Sequence, residues 1–398
     1  MTEPDWRRLD LAAPTPEHAL LAETLREFVA REVEPQAAEN DRREQFNLGL
    51  FRRAGELGLL GVTLPEEYGG AGLDATAAVQ VMEALSTSDP GFALSVLAHA
   101  ILFAQNVNVN GNAEQRARVL PKAATGEEIG GLCMTEPAVG TDVLAMTTRA
   151  KRDGDVYVLD GVKTFITNGG TDETTLGDRF VVYAATAPRE ISSFLVEKGM
   201  PGFSLGQKWK DKLGMRASFT AELVFAGVRV PVANRLGEEG QGTLQMMRNL
   251  EIERLTLAAM SLGIAQRSVE VMLAYANERR SFGAPLREHG QVQRYIAESF
   301  AEYRAARALV YDSARRMDLD ASGQRVAADA AKLFASQAGK RAADAAIQVL
   351  GGYGYMGEYV VERLWRDAKL LEIGGGTLES HQKNLTKDLS RNPALVRG

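Results

Sequence analysis

The sequence has almost none of the residues that build disulfide or metal frameworks. Cys133 is the only cysteine in 398 residues, which excludes internal disulfides and any site made of several cysteines. The four histidines, His18, His99, His289 and His381, show no metal-type spacing such as HxxxH. No metal centre is therefore predicted.

Other absences narrow the class of protein further. The net charge is −6 without a basic stripe, so nucleic acid is not expected as a partner. No GxGxxG follows a first strand, so a nicotinamide-binding Rossmann domain is unsupported. The longest apolar stretch, Gly91–Ala104, is predicted to be too short to span a bilayer. The start, MTEPDWRRLDLAAP, lacks the apolar core of a signal peptide and the Arg/Ser-rich pattern of a transit peptide, so a cytoplasmic protein without membrane contact is expected.

The residues that are present change their periodicity twice along the chain. Apolar residues recur at helical spacing up to about residue 130, short β-rich runs follow, and long helical runs then return over 240–277, 291–317 and 323–350. Helices, then strands, then helices favour an α+β multidomain protein. The predicted domains are 1–130, 131–237 and 238–398. Within the β region, Asp160–Gly161 in VYVLDGVKTF is predicted to be a hairpin turn.

Three short segments have compositions that suit ligand binding, although each also fits an ordinary turn or helix end. CMTEPAVGTDV (133–143) offers hydroxyls and backbone amides that can bind a ring edge or a phosphate. KTFITNGG (163–170) places an aromatic residue on a strand that can pack on a flat group. ERRSFGAPL (278–286) ends a helix with Arg279, which can bind phosphate.

A glutamate interrupts an apolar helix face in the C-terminal region. Met246, Leu250, Leu257 and Met260 share one face, and Glu253 lies in the middle of it. No cation stands three or four residues from Glu253 on the helix. A lone carboxylate in such a place is costly unless it has a partner or a role, and burial would raise its pKa, as suits a general base. Partial exposure, or a distant arginine, is the alternative.

Its neighbours on the helix are charged as well. Glu251 and Arg254 are three residues apart and are predicted to pair. Near the C-terminus, LLEIGGGTLES (370–380) contains Gly374–Gly376, where backbone can approach a ligand closely because no Cβ intervenes.

Taken together, the motifs resemble the acyl-CoA dehydrogenase family. TEPAVGTDV, ITNGG, KLGMRAS, RRSFG, QVLGGYGY and WRDAKLLEIGGGT occur in the family's order and cover nearly the whole chain. EKGMPGFS, KLGMRAS and ERLTLA resemble the isovaleryl-CoA dehydrogenase branch. The resemblance implies a helical N-terminal domain, a middle β-barrel-like domain and a C-terminal four-helix bundle.

The resemblance also implies FAD and assigns residues to it. The expected cofactor-binding residues are Leu132, Met134, Thr135, Gly140 and Thr141 at the flavin or its phosphates, Phe165 and Thr167 on its other side, Arg279, Phe282, Gln348, Gly351 and Gly352 at the ADP part from a neighbouring subunit, and Thr377 and Glu379 after the glycine loop. One position departs from the family, because Gly290 stands where a glutamine is usual. The adenine-side contact there is expected to be lost or shifted to Gln291.

For the chemistry, the resemblance implies that Glu253 removes the α-proton of an acyl thioester, since the isovaleryl branch carries its base in an ERL motif on this helix. In many members the base lies in the glycine loop, where this chain has Gly375. The expected substrate-binding residues are Thr141, Glu251, Arg254, Gly375 and Gly376. The missing loop side chain is expected to leave room for a short branched acyl group.

The resemblance further implies an acyl-CoA substrate, an electron-transfer flavoprotein as electron acceptor, and a homotetramer built as a dimer of dimers. The sequence leaves alternatives open: a carboxylated, aromatic or carrier-protein-bound acyl thioester, a flavin-dependent elimination without net oxidation, and a silent ligand-binding relative. The presence of Glu253 argues against the last of these.

Overall fold

The computed structural model describes residues 10–397, and these fold as helices, then a mixed sheet, then helices, as the sequence predicts. The first nine residues, on which the absence of a leader was partly argued, lie outside the described residues. The N-terminal helices are α1 Pro16–Phe28, α2 Glu34–Arg43, α3 Leu48–Glu56, α4 Ala75–Ser86, α5 Pro90–Leu97, α6 Asn106–Asn110 and α7 Ala113–Thr125.

The helix that contains the longest apolar stretch is longer than predicted. A π-helical segment, Ala98–Gln105, joins α5 to α6, so the helix runs over Pro90–Asn110 for 21 residues. This helix and Gly242–Glu278 are long and apolar enough to cross a membrane, so the prediction of insufficient length was wrong. Within the fold, however, their most apolar windows are 89% and 67% buried, which is the pattern of core helices.

The middle region is one eight-stranded mixed sheet. Its strands follow the order β6-β7-β3-β2-β4-β5-β8, and β1 adds to β4 in parallel. The strands are β1 Gly130–Cys133, β2 Arg149–Asp153, β3 Val156–Thr167, β4 Arg179–Ala187, β5 Glu190–Glu197, β6 Phe203–Lys208, β7 Thr220–Pro231 and β8 Arg235–Leu236, with a separate small hairpin of β9 Arg280–Ser281 and β10 Ala284–Pro285.

The predicted hairpin turn at Asp160–Gly161 was wrong, because both residues lie inside β3. The register against β7 shifts at this point, and a Cβ on Gly161 would lie 2.4 Å from the Thr148 hydroxyl, so the glycine allows a close approach. The true turn is Gly154–Asp155, since Asp153 pairs with Val156. The sequence has two Asp-Gly pairs, and the turn uses the one in RDGDV.

The C-terminal helices surround the longest one, α8. They are α8 Gly242–Glu278, α9 Gly290–Arg315, α10 Arg325–Leu350, α11 Val361–Leu371 and α12 Leu378–Arg391. Helix α10 packs on α8, α9, α11 and α12. A Cβ on Gly263 would lie 2.3 Å from the Glu83 carbonyl of α4, so α8 also approaches the N-terminal helices closely. The middle of α8 is thus at the centre of the molecule.

Candidate active site

Glu253 lies in this central part of α8 and is buried, with 8% of its surface exposed. Among the described residues, its Oε2 atom has no hydrogen-bond partner. Burial raises the pKa of Glu253 to about 7, and the positive charges of Arg254 and Lys332 offset only part of this effect. The predicted rise of the pKa is therefore confirmed, and the cause is loss of water.

Elements of all three regions meet around this carboxyl group. The phenol of Tyr183 on β4 is close enough for the charge of Glu253 to contribute to raising its pKa, although burial of the phenol is the larger cause. Asn106 on α6 donates a hydrogen bond of 3.2 Å to that phenol. Leu132 on β1 and Leu250 on α8 belong to one apolar cluster. Leu250 lies about one helical turn before Glu253 on α8. Glu253 therefore lies where the sheet and both sets of helices join.

The glycine run that follows α11 passes directly over Glu253. A Cβ on Gly375 would lie 3.5 Å from Oε1 of Glu253, although the two residues are far apart in sequence. The backbone is left-handed at both Gly375 (φ 66°) and Gly376 (φ 109°), which a residue with a side chain rarely adopts. A carboxylate side chain at position 375 of the loop would therefore begin beside the Glu253 carboxylate of α8.

The space on the Cβ side of the loop is filled. A Cβ on Gly375 would lie 2.4 Å from Cδ1 of Leu257, and one on Gly376 would lie 3.0 Å from the His381 ring. On this side of the loop, contrary to the expectation from the sequence, the missing side chains leave no room for a branched acyl group. Any room for the acyl group has to lie on the opposite face of the loop.

Three buried side chains from three helices donate hydrogen bonds to carbonyls of this segment. Lys332 of α10 bonds the Leu371 carbonyl, Nε of Arg254 lies 3.3 Å from the Gly375 carbonyl, and Nε2 of His381 lies 3.0 Å from the Gly376 carbonyl. Among residues 10–397, the amides of Gly375 and Gly376 have no acceptor. The loop therefore turns its carbonyls toward the protein and keeps two N–H groups free.

The predicted ion pair between Glu251 and Arg254 was wrong. The Glu251 carboxylate accepts hydrogen bonds from the backbone amides of Gly323 and Gln324, at the start of α10. Arg254 pairs instead with Asp329 of α10, at 3.0 Å. Both side chains are thus already bonded to other parts of the protein. Their predicted contacts with the substrate stay predictions.

A buried ion pair that sequence reasoning missed holds the loop of the TEPAVGTDV motif. Nζ of Lys163 donates to the Met134 carbonyl and to the Glu136 carboxylate, each at 2.9 Å. Glu136 also accepts hydrogen bonds from Thr147 and Thr148. Burial opposes ionisation, but these bonds and the Lys163 charge hold the pKa of Glu136 at about 2. The lysine in the middle of strand β3 was the available signal.

The predicted flavin-facing residues lie around this fixed loop. The hydroxyls of Thr135, Thr141 and Thr167 make no hydrogen bond to the described residues, and a Cβ on Gly140 would meet nothing within 4 Å. Met134 is half-buried. Free hydroxyls beside open backbone can take a ligand with hydrogen-bonding edges and phosphates.

An aromatic pair adds a flat surface to this region. Phe165 is 61% exposed, has a left-handed backbone (φ 57°) and stacks on Trp209 with ring centroids 5.2 Å apart. Trp209 in turn donates to the Thr164 hydroxyl at 3.1 Å. Strain in an exposed aromatic residue points to a ligand that stacks there. The sequence singled out Phe165 and missed Trp209.

The predicted ADP-side residues gather on an exposed part of the C-terminal region. The Arg279 guanidinium lies 6.0 Å from the centre of the Tyr353 ring, which places it beside Gly351 and Gly352. These glycines and Gln348 are exposed.

Two positions at the β9–β10 hairpin and the start of α9 complete this part. Phe282 is 98% exposed and left-handed (φ 50°). Gly290 starts α9 and has open space where a side chain would lie, so the loss of the adenine-side contact, or its shift to Gln291, stays a prediction.

The last two predicted cofactor residues begin α12. The hydroxyl of Thr377 accepts a hydrogen bond from the Ser380 amide at 3.3 Å and caps the helix. Glu379 is exposed in the first turn, and the pKa of its carboxyl is lowered by the helix amides and by Thr377. Among the described residues, no group of three or more metal-ligating side chains occurs.

Comparison with known proteins gives matches along the chain. Family models of the acyl-CoA dehydrogenase N-terminal, middle and C-terminal domains match residues 15–127, 131–228 and 240–390. An acyl-CoA dehydrogenase of Bacillus subtilis is 37% identical over 94% of this chain and 98% of the relative. The mitochondrial isovaleryl-CoA dehydrogenase of Oryza sativa is 39% identical over 92% of this chain and 90% of the relative. Another relative, from Clostridium acetobutylicum, is named short-chain specific.

Solved structures match as well. Butyryl-CoA dehydrogenase of Megasphaera elsdenii gives a TM-score of 0.90 at 34% identity, covering 94% of this chain and 98% of that one. A chain from work on the electron transferring flavoprotein of Acidaminococcus fermentans gives 0.91 at 36% identity, covering 95% and 99%. An acyl-CoA dehydrogenase of Bacillus anthracis complexed with FAD gives 0.88 at 32% identity, covering 96% and 68%. A glutaryl-CoA dehydrogenase structure is similar too, with a TM-score of 0.89 at 32% identity.

Proposed function

The chain belongs to the acyl-CoA dehydrogenase family of FAD-dependent oxidoreductases that act on CH–CH bonds, and we propose that it oxidises a short branched acyl-CoA with Glu253 as the base. The observation that carries the proposal is the approach of Oε1 of Glu253 to the Cβ position of Gly375, at 3.5 Å. A helix carboxylate and the loop position that commonly holds the base thus meet at one point.

The residues fit FAD. Three unbonded hydroxyls, the open backbone at Gly140 and the stacked, strained Phe165 match a flat ring with polar edges and phosphates. The buried pair of Lys163 and Glu136 holds the loop that carries Met134 and Thr135. When bound, FAD supplies the acceptor for the β-hydride.

The residues of this chain supply the acid–base part. Glu253 takes the α-proton onto its carboxylate, and its raised pKa makes it a stronger base than an exposed glutamate. The free amides of Gly375 and Gly376 can donate to the thioester oxygen, where negative charge develops as the proton leaves. The apolar side chain of Leu257 helps to keep water from the carboxyl group.

An apolar acyl group suits this site better than a carboxylated one. Arg254 and Lys332, the cations that affect Glu253 most, already bind Asp329 and carbonyls of the loop segment. A second carboxylate on the substrate would find neither cation free. The ERL sequence at Glu253 and the relatives named isovaleryl-CoA dehydrogenase favour a branched chain of about five carbons, for which a size-limited pocket discriminates about 10–200-fold per methylene.

For the assembly we propose a homotetramer, and for the electron acceptor an electron-transfer flavoprotein. An aromatic side chain as exposed as Phe282 and a cluster of exposed side chains at Tyr353, Tyr355 and Met356 favour contact with another subunit. The similarity to the chain from Acidaminococcus fermentans supports the acceptor.

An anaerobic titration with a panel of acyl-CoA esters tests the substrate. Isovaleryl-CoA should bleach the bound flavin faster than butyryl-, glutaryl- and palmitoyl-CoA. Faster bleaching by palmitoyl-CoA or glutaryl-CoA would refute the proposed acyl group. Conversion of an acyl-CoA without bleaching and without an external acceptor would indicate elimination instead.

A further inference from the structure

A buried histidine and aspartate join the glycine loop to the helix that carries Glu253. Nδ1 of His381 lies 2.8 Å from Oδ1 of Asp329, and Nε2 of the same ring lies 3.0 Å from the Gly376 carbonyl. Asp329 also binds NH1 of Arg254 at 3.0 Å and the amide of Asn384 at 3.1 Å. His381 and Asp329 are both fully buried, so water does not compete for these bonds.

The partners of His381 determine where its protons are. The Gly376 carbonyl can only accept a hydrogen bond, so Nε2 of His381 must carry a proton. Nδ1 of the ring shares its hydrogen bond with Asp329, which the Arg254 guanidinium and the Asn384 amide hold in place. The ring is therefore held at both nitrogens, with the Nε2–H group directed at the Gly376 carbonyl.

The bonds from Arg254 and His381 also fix the directions of backbone N–H groups in the loop. In a trans peptide the C=O and the next N–H point in opposite directions. The bond from Arg254 turns the Gly375 carbonyl toward α8, so the Gly376 amide, which belongs to the same peptide group and has no acceptor among residues 10–397, points the opposite way. The bond from His381 turns the Gly376 carbonyl toward α12, so the Thr377 amide of that peptide group, which has no acceptor among these residues either, also points away from its carbonyl. These amides can then face a thioester oxygen that becomes negative, and the two carbonyls cannot.

We propose that His381 and Asp329 are positioning residues that fix the carbonyls of the glycine loop, so that its amides polarise the thioester carbonyl while Glu253 removes the α-proton. This inference rests on the proposed function. Neither residue touches the substrate, since both are fully buried behind the loop. Their effect is on the direction of the loop's dipoles.

The test compares His381→Phe, which keeps a ring but has no donor, with His381→Gln, which keeps one donor for the Gly376 carbonyl. His18→Phe is the matched control, because His18 is a buried histidine bonded to Asp74 at 3.0 Å in the N-terminal region. Flavin reduction is measured at saturating acyl-CoA, with the ester that wild type reduces fastest. Loss of one oxyanion donor costs about 10²–10³-fold, so His381→Phe should slow reduction by at least ~10-fold. His381→Gln should recover most of the loss, and His18→Phe should be unchanged.

The second readout is the carbonyl stretch of the matching enoyl-CoA, labelled with ¹³C at the thioester and bound to each protein. It should shift to lower frequency on wild type, and His381→Phe should abolish much of this shift. An unchanged rate and frequency in His381→Phe would overturn the inference, as would equal losses in His381→Phe and His18→Phe. If no acyl-CoA reduces wild type, the proposed function fails. The carbonyl frequency still tests the positioning role, because it needs binding only.

Discussion

Replacing Glu253 by glutamine should stabilise the folded protein, and the gain should grow with pH. Burial raises the pKa of Glu253 from 4.5 to about 7, so the folded chain holds this proton more tightly than the unfolded chain. Between these two values the folded state carries more protons, and its stability falls as pH rises through that window. Glutamine has no such dependence and keeps nearly the same shape.

The magnitude follows from the two pKa values. At 1.36 kcal/mol per unit, the ionised carboxyl costs at most about 3 kcal/mol, and the part that appears between ~pH 5.5 and ~pH 8.5 is about 2 kcal/mol. The Glu253→Gln protein should therefore gain about 2 kcal/mol relative to wild type when the pH is changed from ~5.5 to ~8.5. This gain in the free energy of unfolding is the stability that the ionised Glu253 carboxylate costs the folded protein in its apolar surroundings.

Denaturant unfolding of both proteins at the two pH values measures this change in their stability difference. The protein concentration is kept the same and FAD is in excess. Glu251→Gln is the matched control, since Glu251 is a buried glutamate on the same helix whose carboxylate holds the amides of Gly323 and Gln324. It should lower stability at both pH values, because charge-assisted hydrogen bonds are lost. A Glu253→Gln protein that is less stable than wild type at the higher pH would show that the Glu253 carboxylate has a stabilising partner, contrary to this prediction.

The remaining predictions concern rate, loop and assembly. In wild type, kcat/KM for flavin reduction should rise with pH through about 7, because only the ionised Glu253 accepts the α-proton; a flat profile would contradict this. Glu253→Gly with Gly375→Glu should recover activity only when Leu257→Ala is added, since a Cβ at Gly375 would lie 2.4 Å from Leu257; equal rates with and without Leu257→Ala would refute the steric reason. Phe282→Asp should reduce both FAD retention and the mass in solution below that of a tetramer; an unchanged FAD-loaded tetramer would show that Phe282 faces only solvent.

The sequence predicted the fold and the burial of Glu253 well, because both depend on strong patterns. The apolar face around Glu253 and the switch from helical to β periodicity are visible locally, and the ordered motifs add the domain arrangement. The hairpin error arose because two Asp-Gly pairs compete, and only strand pairing shows that Asp160–Gly161 is a bulge inside β3.

Contacts between segments that are distant in the chain could not be predicted from the sequence. The spacing of Glu251 and Arg254 predicted a local pair, but tertiary partners at Gly323 and Asp329 replace it. The filling of the space over Gly375 by Leu257 could not be seen either, since it depends on how α8 and the loop approach each other.

Rapid-mixing measurement of flavin reduction by the best acyl-CoA in Glu253→Gln shows whether Glu253 is the base. Loss of a general base costs ~10²–10⁴-fold, so the reduction rate should fall by at least ~10²-fold while FAD and substrate still bind. Glu372→Gln and Glu379→Gln should each keep reduction, although Glu379→Gln is expected to loosen FAD. A Glu253→Gln protein that reduces its flavin at nearly the wild-type rate would show that the base lies elsewhere.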